Sequence, residues 1–170
     1  MTGSRKVLLF GGLALAVIGM LYGLQYALFT EHQTLDQMGG SLAQSFTTAA
    51  SRNVSQSQAA LDEYRETKYD YVRQVDAHSH GVGLAMLMIL LGVIFERVNF
   101  SEGIRRLVAL SLLAGGALFP VAVILQTYHH NAVVLKGLAA AGSGLVIAAL
   151  AATAWGFARP RAAAQEGRLN

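Results

Sequence analysis

Apolar and polar residues alternate along this chain in long blocks, and the blocks predict its elements. Residues 7–29 form an uninterrupted apolar run. At about 1.5 Å per residue such a run crosses a hydrocarbon layer roughly 30 Å thick. Arg5 and Lys6 precede it. The run is longer than the apolar part of a cleaved signal peptide, so it reads as a retained first span over about 7–30. Three further spans are predicted at about 81–98, 107–128 and 132–157, the third with Pro120 near its middle and a kink near Gly116.

Between the first and second spans, residues 31–78 are polar and helix-forming. Gly39-Gly40 marks an expected break and Asn53 an expected N-cap. Leu61, Tyr64, Lys68, Tyr71, Val75 and His78 recur at steps of three and four, which makes one stripe of an amphipathic helix. That helix should run straight into the second span. The insertion therefore reads as a helical hairpin capping the membrane part.

Charge sets the expected orientation. The N-terminus, the connection between spans two and three and the C-terminal tail hold eight Lys or Arg against three acids. Residues 31–80 hold four bases against seven acids. Basic flanks stay in the cytoplasm. The fold class is therefore an all-α, integral membrane four-helix bundle of one domain, both termini cytoplasmic and the hairpin extracytoplasmic, in a bacterial inner membrane. The bilayer is the first expected partner. The net charge of +3 follows this topology and implies no nucleic acid. Cysteine is absent, which excludes thiolate metal sites, disulfides and covalently attached haem.

Candidate chemistry lies in the histidines. His32 follows the first span, His78 and His80 open the second, and His129 and His130 close the third, so all should lie near one membrane level. Gln25 shares a face with His32, Gln126 with His129 or His130, and Lys136 with Ser143. Polar groups in hydrocarbon are costly unless they face the bundle interior, so these faces should converge. His78 and His80 lie about 200° apart on an unbroken helix, which turns only one of them inward unless Gly81 and Gly83 break it. His80 is expected to face the bundle, with His78 under the hairpin.

Two cofactor readings follow. A b-type haem would take axial imidazoles from His80 and from His129 or His130, with Lys136 on a propionate and Gln25, Gln126 and His32 around it or facing a quinone. A copper or zinc ion would gather ligands from His32, His78, His80, His129 and His130. The leading expectation is a small cytochrome b-like redox protein passing electrons from a membrane quinol or a partner subunit to a periplasmic acceptor. The alternatives are metal delivery or sensing, and a cofactor-free accessory subunit whose hairpin docks a partner. No triad spacing, phosphate loop or HExxH motif points to a stand-alone enzyme. Gly19-x-x-x-Gly23 and Ala140-x-x-x-Gly144 predict close helix packing.

Overall fold

A computed structural model of the protein describes residues 1–130 and 132–160. The described residues form five α-helices and one short 3-10 turn, with no strand among them. Helix α1 spans Gly3–Phe29, α2 Glu31–Ala50, α3 Val54–Ile94, α4 Glu102–Tyr128 and α5 Val133–Ala158. Four of them, α1, α3, α4 and α5, are long and apolar enough to cross a membrane. Their outer faces carry exposed large apolar side chains, among them Phe10, Leu13 and Leu24 on α1, Leu90 on α3, Leu107 on α4 and Ile147 on α5. Such continuous apolar surface suits lipid rather than water.

Helix α3 is the backbone of the fold. Its 41 residues extend about 60 Å, twice the hydrocarbon thickness. Its first half pairs with α2 in the predicted hairpin and its second half packs against α1 and α4. The helix passes through Gly81 and Gly83 unbroken. The turn between α2 and α3 comes at residues 51–53, where Arg52 takes the left-handed conformation with φ 59°. There the Asn53 side chain caps α3 by accepting the Gln56 N–H at 3.2 Å. The expected break at Gly39-Gly40 is absent, because α2 continues through it. Two helical glycines cost only about 1 kcal/mol each. Against that, α2 is held to α3 by close packing of small residues: Ser41, Ser45 and Ala60 are buried, and the Ser57 hydroxyl donates to the Ser45 carbonyl at 3.0 Å.

The membrane part is less symmetric than a square bundle. Helices α1, α3 and α4 pack on one another, while α5 leans chiefly on α4. Large side chains fill the end of the bundle that carries the N-terminus, with Leu8, Met88, Phe95 and Leu112 fully buried. There the Glu102 carboxylate accepts the Ser4 N–H at 2.8 Å and its hydroxyl at 3.2 Å, capping the start of α1 in trans. Arg105 meets Glu102 at 3.1 Å and donates to the Glu96 carbonyl at 3.1 Å. The Asn99 N–H reaches the Gly156 carbonyl at 2.9 Å, joining this end to α5. Towards the hairpin the core is smaller, built from Ala77, Ala122, Val123 and Ala139. Less side-chain volume between the same helices leaves space there.

Candidate functional site

The five histidines do not gather at one point. His130 turns over the hairpin, placing Nε2 2.8 Å from Asp70 Oδ1 and Nδ1 3.2 Å from Glu66 Oε1. Its ring stands edge-on to Tyr69, with centroids 5.5 Å apart. With one ring nitrogen on each carboxylate, His130 clamps the end of α4 to α3. His129 ends α4 and is exposed. His80 is exposed as well, its ring edge-on to Phe119 at 5.3 Å. His32 is exposed in the first turn of α2, and Gln25 is exposed on α1 rather than turned inward. Lys136 is also exposed, beside His130, Arg65, Glu66 and Tyr69 around a shallow depression. Among the described residues, no three His, Asp or Glu side chains come together as a metal-holding group.

Gln126 does face inward. It is 3% exposed, accepts from the Tyr69 hydroxyl at 3.4 Å and donates to the Ala122 carbonyl at 3.2 Å. Its oxygen thus ties α4 to Tyr69 of α3, while its nitrogen bonds back within α4. The clamp at His130 lies just above it. Replacing His130 by Asn should therefore loosen the hairpin without unfolding the bundle. The partly exposed pairs limit the loss to about 1 kcal/mol. Glu66 and Asp70, four apart on one helix, then repel each other unscreened. Hydrogen exchange should rise in residues 63–70 and 124–130 and stay unchanged in 84–92. Equal protection in wild type and variant would show that the clamp carries no weight.

His78 has the most defined setting of the five. Its Nδ1 lies 3.0 Å from the Gly19 carbonyl oxygen on α1. A carbonyl only accepts, so Nδ1 carries a proton, and in the neutral tautomer with that proton Nε2 is an acceptor. The ring rests against Gly23, whose missing side chain makes room for it. The sequence placed His80 inward and His78 under the hairpin. The structure does the reverse, because the unbroken α3 turns its line of Ala77, Gly81, Ala85, Met88 and Gly92 into the bundle. His78 lies beside that line on the α1 side, and His80 lies on the outer edge against α4.

Beside His78 is a cleft of about 250 Å³ bounded by α1, α3 and α4. Small residues create it: Gly19, Gly81, Gly116 and Ala117 line it where larger side chains would fill it. Pro120 also lines it, and its ring closes on the Gly81 position at 3.7 Å. As proline has no N–H, the Gly116 carbonyl loses its usual partner one turn ahead. Tyr22 lines the cleft too, and its hydroxyl is buried with no hydrogen-bond partner among the described residues. No charged side chain lines this space. Ile18 and Val121 border it and are exposed on the outer surface, so the cleft opens towards lipid between α1 and α4.

The lining is almost wholly apolar, with His78, Tyr22 and Gly116 at its border, and the space is reachable from the bilayer. Tyr22, Gly116 and Pro120 as a set were missed in the sequence. The signal was present in part, since Gly19, Tyr22 and Gly23 share one side of α1 with the residues opposite His78. No protein-family model matches the chain, and neither a curated protein nor a solved structure shows significant similarity to it.

Proposed function

We propose that this multi-pass protein binds the head group of a lipid-soluble quinol in the cleft between α1, α3 and α4, as part of a redox system of the bacterial inner membrane. The observation that carries this reading is His78, whose Nδ1 is committed to the Gly19 carbonyl while the ring borders the cleft. A quinol offers two hydroxyl donors, which suit His78 Nε2 and the Gly116 carbonyl. The apolar walls take the ring, and the opening beside Ile18 and Val121 takes the tail.

Oxidation of one quinol releases two protons and two electrons. His78 Nε2 accepts the first proton, and the second leaves towards the hairpin side. The two electrons would need a one-electron acceptor, which haem b on this chain or haem held by a partner subunit would supply. In the orientation that the charge balance favours, both termini cytoplasmic and the hairpin outside, the released protons would go to the periplasm.

Equilibrium binding of a short-chain benzoquinol, kept reduced, to the protein in nanodiscs tests the reading. His78→Phe should weaken binding about tenfold, the loss of one strong polar contact of about 1.4 kcal/mol. Equal affinity in both proteins would refute the proposal. An absorption spectrum of the protein expressed with ample haem tests the acceptor: a Soret band places haem on this chain, and colourless protein refutes haem on this chain.

A further inference from the structure

The hairpin divides its carboxylates and its apolar residues between two edges. One edge is marked by the Gln37 amide, which donates to the Glu63 carboxylate at 3.2 Å. It is turned towards the end of α4, where Gln37, Glu63, Glu66 and Asp70 line one hollow with Thr127. Leu35, Leu42 and Phe46 lie about 140° to 180° round α2 from Gln37, and Val54, Leu61 and Val72 lie as far round α3 from Glu63. Because the two right-handed helices run antiparallel, both sets come to the same edge, opposite the first. Phe46 is 68% exposed there, Val54 76% and Val72 44%. The neighbouring cations are held within α3: Arg65 meets Asp62 at 2.9 Å, and the Lys68 ammonium lies 5.7 Å from the centre of the Tyr64 ring.

Helix α3 carries this edge down into the bundle. Val54, Val72 and Leu90 follow one another at intervals of about five turns, so they stand on one line of the helix. Leu90 is 64% exposed, and nothing lies within 4 Å of the Cβ position of Gly83 on the same side. Lipid suits the lower part of this face, but water does not suit the upper part. The 20 residues of α2 make the hairpin face about 30 Å tall, and two packed helices make it about 20 Å wide, or roughly 600 Å². The line of α3 within the hydrocarbon adds roughly 300 Å², and a standard interface needs about 800 Å² from each partner. A second copy in the same bilayer stands at the same height. A two-fold axis along the membrane normal then sets hairpin against hairpin and span against span.

We propose that this edge of α2 and α3 is the interface of a homodimer, covered by the same edge of a second copy of the chain. The mouth of the quinol cleft stays free, because Gly81, which lines the cleft, lies about 180° round α3 from Leu90. The inference does not rest on quinol binding.

Disulfide formation in membranes of cells expressing the full chain tests this, since the chain has no cysteine of its own. With copper-phenanthroline as oxidant, Val72→Cys and Leu90→Cys should each link two chains at least tenfold more than two controls. The controls are Asp36→Cys, away from this edge of the hairpin, and Ile147→Cys on the outer face of α5, both exposed. Phe46→Asp combined with Val72→Asp should halve the mass of the protein in mild detergent, with unchanged melting curves. Links as frequent at the controls, a wild-type mass of one chain, or Val72→Cys joined to a different protein would overturn the proposal. If the double variant melts at a lower temperature, the Leu90→Cys link in the otherwise unaltered chain decides.

Discussion

Leucine in place of Gly142 is expected to separate α5 from α4 and to destabilise the protein by about 3 kcal/mol, the upper part of the range for overpacking. Any side chain at this position would begin 2.8 Å from the Phe119 backbone nitrogen and 3.1 Å from its Cα. Backbone atoms in the middle of a helix cannot swing aside as a side chain can. The contact is reciprocal, since a Cβ at Gly115 would stand 2.7 Å from the Gly142 carbonyl oxygen. Helices inside a membrane are held by this kind of close approach, because lipid is as apolar as the helix faces themselves. Gly144→Leu is the matched control, as nothing lies within 4 Å of that position. Thermal unfolding should show a large drop for the first variant and none for the second. Equal melting of the two would show that α5 is not seated on α4 as described.

The second large effect is on binding. Alanine at Gly23 puts a methyl group into the space occupied by the His78 ring. The ring can rotate away, so the fold should hold. It would then leave the Gly19 carbonyl, and the imidazole would no longer be oriented towards the cleft. Quinol affinity should fall about tenfold, as for His78→Phe. The two changes should not add, because each removes the same oriented ring. A double variant weaker than either single one by a further tenfold would show that Gly23 acts on the cleft by another route.

Much of the architecture was legible because it rests on local rules. The four apolar spans, the hairpin, the Asn53 cap and the continuous helix into the second span all follow from periodicity and from one side-chain oxygen at a helix start. Gly19-x-x-x-Gly23 marked a true contact, with both glycines against α3 at Val82 and His78. Ala140-x-x-x-Gly144 did not, since α5 packs through Gly142 instead. The reason is physical: α5 is apolar nearly all round, so its sequence does not say which side meets protein and which meets lipid.

The polar positions show the same division. Gln126 and Gln25 each looked costly in hydrocarbon, and the argument that they face inward holds for Gln126 alone. Gln25 lies one turn from the end of α1, where an amide reaches the interface at little cost. The histidines stand near the ends of the apolar spans in the sequence. Their directions depend on the rotation of whole helices and on partners remote in sequence, Asp70 and Glu66 for His130, Phe119 for His80 and Gly19 for His78. Those partners include a backbone carbonyl and two carboxylates from a stretch that reads as an ordinary solvated helix face. The cleft was illegible for a further reason, because it is formed by what glycine and alanine leave out.

Photolabelling with a short-chain azidoquinone in nanodiscs, followed by mapping of the labelled peptides, tests the central claim most directly. The account predicts label on residues 15–22, 77–81 and 116–124, with unlabelled quinol competing it away. Label spread along the lipid-facing side of α1 at Phe10, Leu13 and Leu24, and insensitive to competitor, would contradict it.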